Sequence, residues 1–251
     1  MSNFKNKTAL ITGSGSGIGR ATAIAFAGKS ANVVVSDIDE KGGLETVAMI
    51  EKMGQNAIFI KANVAKKAEV QSLVKQTIEI YKSLDFAINN AGIGGPYAPT
   101  AHYTDEAWES VIAVNQTGVF YCMREELAAM KAQKGGVIVN VSSMAGMRAL
   151  PNTIAYVASK HAVLGMTKTA ALEYAKYGVR VNAVCPVFTH SKLFDAMLEQ
   201  NPSMSEKLLK TIPMRRFGEP EDIAHAVIWL CEGHSSFVTG LCFPVDGGST
   251  V

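Results

Sequence analysis

Tyr156 and Lys160 are the two side chains whose types and spacing point most directly to chemistry in this 251-residue sequence. They lie four residues apart in a stretch with helical character, so both side chains share one face of that helix. A free phenol has a pKa of about 10, and a neighbouring ammonium would bring the pKa of Tyr156 closer to neutral pH. Ser143 lies thirteen residues before Tyr156, just after an apolar run, and supplies a hydroxyl to hold a substrate oxygen. Together these residues predict general acid–base catalysis at that oxygen.

A glycine-rich turn near the N-terminus predicts a phosphate-binding site. It connects the apolar run 8–11 to a helical stretch over 20–29. Residues without Cβ allow the backbone to turn sharply, and they allow a pyrophosphate to approach the N–H groups at the start of the helix. The order of strand, glycines and helix therefore predicts a dinucleotide site. The expected contacts in this turn are Gly13, Ser16, Gly17, Ile18 and Gly19.

Asp37 predicts that the dinucleotide is NAD. It ends the second apolar run, about twenty residues past the glycines, where a carboxylate accepts hydrogen bonds from the adenosine ribose. The same charge repels the 2′-phosphate of NADP. The next residue is Ile38 rather than arginine, and no lysine or arginine lies between Gly13 and Gly19. We therefore expect Asp37 to contact the ribose of NAD and Ile38 to be a further cofactor contact.

The pattern of apolar runs indicates the elements that must position these residues. Short runs rich in valine and isoleucine alternate with helical stretches, which is typical of a parallel sheet covered on both faces. We predict one α/β domain over residues 1–251, a doubly wound Rossmann-type fold with a seven-stranded parallel sheet. Residues 188–213 break the alternation and are predicted to form a substrate lid. The predicted strands are 8–11, 32–36, 57–61, 86–89, 137–141, 180–184 and 241–245.

Composition argues against several classes of partner. The chain has 24 basic and 22 acidic residues, and this near-balance predicts binding to neither nucleic acid nor a membrane surface. No run of eighteen apolar residues and no signal peptide are found, so we expect a cytoplasmic protein. The four cysteines are scattered without metal-ligand spacing, and no metal site is predicted.

Further segments give the sequence a family resemblance that covers essentially the whole chain. The segments are Thr12–Gly19 (T-G-x-x-x-G-x-G), Asn89–Gly92 (N-N-A-G), Val114–Gly118 around Asn115, Tyr156–Lys160 (Y-x-x-x-K), Arg216–Ala224 and Asp246–Gly248. In these segments the sequence resembles the short-chain dehydrogenase/reductase family.

The resemblance implies hydride transfer between a nicotinamide and a secondary alcohol or its ketone. It implies that Ser143 orients the substrate, that Tyr156 exchanges the proton, and that Lys160 lowers the pKa of Tyr156 and binds the nicotinamide ribose. Asn115 would hold a water that links Lys160 to solvent. The resemblance also implies a homotetramer. Tyr156 and Lys160 thus count as cofactor contacts, together with Asn63, Val64, Asn90, Ala91, Gly92, Pro186, Val187, Thr189 and Ser191.

Two positions depart from the family pattern. Asn63-Val64 replaces the usual Asp-Val, and the asparagine carbonyl can still accept a hydrogen bond from the adenine amino group. Pro186-Val187 replaces Pro-Gly at the turn facing the nicotinamide, and a branched side chain there is predicted to narrow the pocket. The alternative is that Val187 has a negative φ and packs under the lid. Thr189 is expected at the carboxamide, and Ser191 in place of the usual threonine.

Apolar residues of the lid favour a cyclic or compact apolar secondary alcohol as the substrate. One alternative is a reductase of 3-oxoacyl thioesters, against which Asp37 argues because such relatives usually take NADPH. Another is a non-catalytic NAD-binding regulator, which the intact set of Asn115, Ser143, Tyr156 and Lys160 disfavours. The predicted substrate pocket comprises Gly94, Gly95, Met144, Val187, Phe188, Leu193 and Met197.

Overall fold

One parallel sheet forms the centre of the protein. The computed structural model describes residues 3–191, 194–195, 198–199 and 202–251, and within them seven strands pair in this sheet. The strands are β1 (Thr8–Thr12), β2 (Asn32–Asp37), β3 (Ala57–Lys61), β4 (Phe86–Asn89), β5 (Gly136–Val141), β6 (Val179–Pro186) and β7 (Cys242–Val245). Their order across the sheet is β3-β2-β1-β4-β5-β6-β7, and every pairing is parallel.

Helices cover both faces of the sheet, which explains why its strands are runs of apolar residues instead of alternating patterns. Val33, Val34 and Val35 of β2 are consecutive and all fully buried, as expected for a strand with a helix layer on each side. The helices are α1 (Gly17–Gly28), α2 (Glu40–Lys52), α3 (Lys67–Tyr81), α4 (Asp105–Ile112), α5 (Val119–Gln133), α6 (Ile154–Tyr174), α7 (Pro202–Lys210) and α8 (Pro220–Cys231).

Two apolar cores lie on opposite faces of the sheet. One contains the tilted aromatic group of Phe4, Phe26 and Phe86, with ring centroids 4.6–5.6 Å apart, and the buried face of α8. The other joins α3, α5 and α6 to the sheet through residues such as Leu73 and Met130. Burying this apolar area on both faces supplies the main driving force for folding. The predicted doubly wound fold with helices on both faces is confirmed.

The order of the strands reverses between β1 and β4. The chain moves outward from β1 through β2 to β3 and then returns to pair β4 with β1. In open α/β sheets, the carboxyl ends of the strands on either side of such a reversal form the ligand crevice. The glycine turn follows β1, the N-N-A-G segment lies at the end of β4, Ser143 follows β5, and Pro186 ends β6. The sheet therefore presents all of these segments at one edge.

The predicted lid, residues 188–213, lies next to this edge. It contains α7, and Phe194, Asp195, Leu198 and Glu199 are also helical. Leu193 and Met197, predicted to line the substrate pocket, lie outside the described residues. A parallel bridge between Thr189 and Gly218 fixes the start of the lid to the segment before α8. In the described part of the chain, no helix has the length and apolar character needed to span a membrane.

Candidate active site

The glycine turn leaves no room for side chains where the chain folds back on itself. Gly13 has a φ of +64°, and a Cβ there would lie 2.8 Å from the Cα of Ala91. A Cβ on Gly19 would collide with the carbonyl oxygen of Gly13. Gly17 also has a positive φ, of +51°, and lies next to Ser191 at the start of the lid. The turn is thus a backbone cradle at the start of α1, as binding of a pyrophosphate requires.

Asp37 lies directly beside this cradle. One carboxylate oxygen accepts a hydrogen bond from the backbone N–H of Gly15 at 2.8 Å, and the other accepts one from Asp39 at 2.9 Å. Arg20 donates to the carbonyl oxygens of Gly15 and Gly42, so its charge fastens the turn to α2. Asp37 thus lies beside the glycine turn, where the sequence predicts a contact with the ribose.

A cavity of about 350 Å³ continues the crevice beyond Asp37. Asn63 lines this cavity, and its side-chain oxygen accepts a hydrogen bond from the N–H of Ala65 at 3.0 Å. The two lysines of the cavity, Lys61 and Lys66, are paired with Glu40 at 3.2 Å and Glu69 at 3.0 Å respectively. The predicted contact Val64 instead packs in a small apolar cluster with Val70 and Cys122. Asn63 and Ile38 thus border the space that the sequence assigns to the adenosine of the cofactor.

The turn after β4 is bound to the glycine turn by hydrogen bonds. The side-chain amide of Asn90 donates to the carbonyl oxygens of Thr12 and Gly13, both at 2.9 Å. The hydroxyl oxygen of Thr12 accepts the N–H groups of Asn90 at 3.1 Å and Ala91 at 3.2 Å. The two turns on either side of the strand-order reversal therefore form one rigid unit.

Ser143 and Tyr156 meet at the end of β5. Ser143 is buried, and its hydroxyl oxygen accepts the N–H of Ala145 at 3.1 Å. Tyr156 is half-buried on the first turn of α6. Burial raises the pKa of the Tyr156 phenol, and the neighbouring Ser143 hydroxyl acts in the opposite direction. The structure thus brings together the two hydroxyls that the sequence predicts at the reacting oxygen.

Lys160 lies one turn further along α6, with its ammonium held below Tyr156. Its Nζ donates to the carbonyl oxygen of Val141 at 2.8 Å and lies 5.6 Å from the centroid of the Tyr156 ring. Burial lowers the pKa of Lys160 to about 8. Burial therefore sets the net direction of the Tyr156 pKa in this structure, while the Lys160 ammonium donates to Val141. That Lys160 lowers the pKa of Tyr156 stays a prediction.

Asn115 lies in a π-helical turn, Ala113–Gly118, between α4 and α5. Its side chain forms a reciprocal pair with the backbone of Ile93, with both hydrogen bonds at 2.8 Å, and donates to Ser159 at 3.3 Å. Gly92 lies between Asn115 and Lys160, since a Cβ there would be 3.3 Å from Asn115 Oδ1 and 3.6 Å from Lys160 Nζ. The structure therefore groups Asn115 with Lys160 and Tyr156.

The turn after β6 completes the edge with apolar side chains. Val187 does not have a positive φ, and it packs with Met144, Ile212 and Phe217. The backbone conformation and the packing given by the alternative are thus observed, and the narrowing of the pocket by Val187 stays a prediction. Thr189 is buried and donates its hydroxyl to the carbonyl oxygen of Val187 at 2.9 Å.

The remaining predicted pocket residues differ in their surroundings. Phe188 stacks on Phe194 with ring centroids 5.7 Å apart. Gly95 has a φ of +73° and approaches Tyr103 and Val111, while the neighbouring Gly94 is half-buried. The hydroxyl oxygen of Ser191 accepts the N–H of Phe194 at 3.2 Å, which caps the helical start of the lid.

Comparison with known proteins agrees with this geometry. A family model described as enoyl-(acyl carrier protein) reductase matches residues 13–250. An uncharacterized oxidoreductase of Thermotoga maritima is 44% identical over 251 residues, which are 99% of each chain. The chain belongs to the short-chain dehydrogenase/reductase family.

Members of this family with described activities are also similar over their full length. The cyclohexanol dehydrogenase of Acinetobacter sp. strain SE19 is 42% identical over 251 residues, which are 100% of this chain and 98% of that protein. Among solved structures, NAD⁺-bound xylitol dehydrogenase superposes with a TM-score of 0.95 at 31% identity. That match covers 98% of this chain and 99% of the other. Because the matches cover nearly the whole of both chains, this short-chain dehydrogenase/reductase aligns with these relatives without a large insertion or deletion.

Several residues that support the site are missing from the sequence-based prediction. Thr12 is part of the T-G-x-x-x-G-x-G motif, so the sequence carried a signal for it, but its role in holding the turn after β4 required the fold. Val141 acts through its backbone carbonyl, which leaves no trace in residue type. Arg20 follows the last glycine directly, and only the structure shows that its charge is directed to Gly15, Gly42 and Glu45.

Proposed function

We propose that this family member is an NAD-dependent dehydrogenase that interconverts a secondary alcohol and its ketone. The observation that carries the proposal is the pairing of Ser143 with Tyr156 above the Lys160 ammonium, at the edge that also holds the glycine turn. The similarity to a cyclohexanol dehydrogenase and to an NAD⁺-bound xylitol dehydrogenase supports the same reaction class.

The residues present fit a nicotinamide dinucleotide. The cradle of Gly13, Gly17 and Gly19 excludes Cβ atoms where phosphates would meet the backbone, and Asp37 offers its carboxylate to the adenosine ribose. Lys160 and the turn after β6 would hold the nicotinamide end. When bound, the oxidised nicotinamide supplies a hydride acceptor and a positive charge near the phenol.

The chain's own residues handle the proton. In alcohol oxidation, the Ser143 hydroxyl orients the substrate oxygen, and the Tyr156 phenolate accepts the hydroxyl proton as the carbon gives up its hydride. In ketone reduction, the Tyr156 phenol returns that proton to the carbonyl oxygen. Burial raises the pKa of Tyr156, so the phenolate depends on positive charge nearby, which the Lys160 ammonium supplies.

Discrimination between NAD and NADP rests on Asp37. The Asp37 carboxylate would repel a 2′-phosphate. Arg20, the first basic residue after the turn, already donates to the carbonyl oxygens of Gly15 and Gly42. Lys61 and Lys66 are each paired with a glutamate. These contacts favour NAD as the physiological cofactor.

The wall of the site favours an apolar substrate. Met144, Val187, Ile212 and Phe217 form a buried cluster, in which Met144 directly follows Ser143 and Val187 directly follows Pro186 at the end of β6. The partly buried side chains packed against this cluster, such as Leu150 and Phe188, offer apolar area that a hydrocarbon ring would remove from water. We therefore propose a cyclic or compact apolar secondary alcohol, with Val187 limiting the size of the substituents.

A homotetramer is the proposed assembly. Exposed apolar side chains occur on two faces of the described chain, with Trp108 and Phe120 on α4 and α5, and Trp229 and Phe237 on and just after α8. Surfaces of this kind often mark subunit contacts. Analytical ultracentrifugation should give four times the 26.8 kDa chain mass, and a monomer at micromolar concentration would refute this assembly.

The direct test of the proposed function is a spectrophotometric assay. The formation of reduced cofactor is followed with NAD and with NADP over a panel of cyclic, linear and polyhydroxylated secondary alcohols. The proposal predicts turnover of cyclic or compact apolar alcohols with a higher kcat/KM for NAD. Turnover confined to 3-oxoacyl thioesters with NADPH would overturn it, as would absence of any turnover in protein that binds NADH.

A further inference from the structure

A buried chain of polar side chains runs through the protein behind the candidate site. Asn89 at the end of β4 and Asn140 on β5 are opposite each other in the sheet register. Glu126 of α5 contacts Asn89, and Thr167 of α6 contacts Asn140. All four side chains are at most 2% exposed. These four polar side chains therefore join two strands and two helices, and water has no access to them.

The hydrogen-bond donors of these polar side chains can be counted. The Asn89 amide donates to Glu126 Oε2 and to Asn140 Oδ1, both at 3.0 Å, which uses both of its N–H groups. The Asn140 amide donates to Thr167 Oγ1 at 2.9 Å and to the sulfur of Met123 at 3.4 Å. Thr167 donates to the carbonyl oxygen of Val163 at 2.8 Å. Every N–H and O–H donor of these polar side chains thus has an acceptor.

Two acceptors remain without a donor. Asn89 Oδ1 and Glu126 Oε1 are buried and have no hydrogen-bond partner within the part of the chain that the structure describes. They belong to the same pair of side chains, whose other two atoms are already bonded. A buried acceptor without a partner costs roughly 1–3 kcal/mol, and an unpaired buried carboxylate costs more. The Asn89–Glu126 pair therefore lacks one hydrogen that could be shared between these two oxygens.

We propose that Glu126 is a neutral carboxylic acid in the folded protein and that its proton is donated to Asn89 Oδ1. A single proton then provides a partner for both orphaned oxygens and closes a two-bond ring between the acid and the amide. Glu126 would act as a positioning residue, because Asn89 directly precedes the turn that binds the glycine cradle through Asn90.

The surroundings of Glu126 agree with a neutral acid. The neighbouring strands and α6 present the uncharged side chains of Asn89, Asn140 and Thr167, and Glu126 forms no ion pair with any described residue. The titratable group next to it is the thiol of Cys122, whose pKa is raised by burial, so that it also carries no charge. Burial raises the pKa of Glu126 to about 7, opposed by the hydrogen bond from Asn89.

The proposal has a consequence for stability with a defined sign. In the unfolded chain, Glu126 ionises near its ordinary pKa of 4.5, whereas the folded protein keeps the proton to about pH 7. Between these values the unfolded state releases a proton that the folded state retains, so stability falls as the pH rises. Above about pH 7 the loss is complete and stays constant.

The test compares wild-type protein with E126Q. Glutamine reproduces the proposed ring, because its amide donates to Asn89 Oδ1 and its carbonyl accepts from the Asn89 amide. Urea unfolding is measured from pH 5 to pH 8.5, with E79Q on the exposed face of α3 as the control for a lost surface charge. Relative to E126Q, the unfolding constant of wild type should rise on the order of a hundredfold across this range. E79Q should follow wild type.

Parallel pH profiles for wild type and E126Q would overturn the proposal. Infrared spectroscopy gives a second readout that does not depend on the folding of the variant. At pH 6, wild type should show the carbonyl stretch of a protonated carboxylic acid, which disappears above about pH 8 and is absent in E126Q. Wild-type protein without this band at pH 6 would also overturn the proposal.

Discussion

The turn after β1 and the turn after β6 lie at the same edge of the sheet but are built in opposite ways. The first, around Gly13 and Gly19, excludes side chains so that backbone groups face the crevice. The second carries the branched Val187 with a normal backbone and packs it into an apolar cluster with Met144, Ile212 and Phe217. Under the proposed function, the first turn would hold the cofactor through its backbone, whereas the second would shape the substrate pocket through side chains.

The largest effect is expected from adding a methyl group to the first turn. Gly13→Ala would force a positive φ on alanine and bring its Cβ to 2.8 Å from the Cα of Ala91, which displaces the turn. We expect cofactor affinity to fall at least roughly a hundredfold, measured by titration with NADH.

Gly54→Ala provides the matched control for this variant. Gly54 has a similar φ of +72° but nothing within 4 Å of its Cβ position. This variant should lose about 1 kcal/mol of stability and bind NADH normally. Equal losses of NADH affinity in the two variants would show that backbone strain, rather than close approach, explains the result.

Removing the carboxylate beside the first turn should change cofactor preference. Asp37→Ala loses the acceptor for the ribose hydroxyls, and we expect the KM for NAD to rise about 10- to 100-fold while the KM for NADP rises little or falls. Asp39→Ala, which removes the N-cap of α2 two residues later, is the control and should leave the cofactor ratio unchanged. Equal rises for NAD and NADP in Asp37→Ala would contradict the ribose assignment.

The pH dependence of the reaction rate tests the role of Lys160. The rate of alcohol oxidation should rise with pH because the phenolate of Tyr156 is the base. The rise should level off above about pH 8, where Lys160, whose pKa is lowered by burial, loses its charge. Lys160→Arg keeps the charge at all pH values, so its slower reaction should continue to rise through pH 9.5. The same plateau in wild type and variant would exclude Lys160 as its source.

The smallest effect is expected at the second turn. Val187→Gly removes a side chain from the apolar wall, so kcat/KM should shift about tenfold in favour of alcohols with larger substituents. The KM for NAD should change little, in contrast to Gly13→Ala. An unchanged ranking across the alcohol panel would mean that Val187 serves packing under the lid alone.

The sequence predicted those features that depend on residue type and local spacing. The apolar runs identified the seven strands in the described residues, since central strands covered on both faces demand such runs, and the glycines and Asp37 marked the first turn. The grouping of Ser143, Tyr156 and Lys160 followed from helical spacing and position after a strand.

Other features depend on distant contacts and could not be predicted in this way. The ammonium of Lys160 is held by a backbone carbonyl of β5, and burial then sets the direction of the Tyr156 pKa. The acid–amide pair of Glu126 and Asn89 joins residues 37 positions apart, and neither residue type indicates a buried partner. The conformation of Val187 also required the structure, since the sequence left two alternatives.

The most direct test of the central claim is Tyr156→Phe, which removes one oxygen and keeps the ring beside Lys160. We predict that kcat for alcohol oxidation falls by about 10²- to 10⁴-fold while the Kd for NADH changes less than threefold. A Tyr156→Phe enzyme with the wild-type kcat would contradict the proposed proton transfer. Loss of NADH binding equal to the loss of kcat would instead assign Tyr156 a role in binding the cofactor rather than in catalysis.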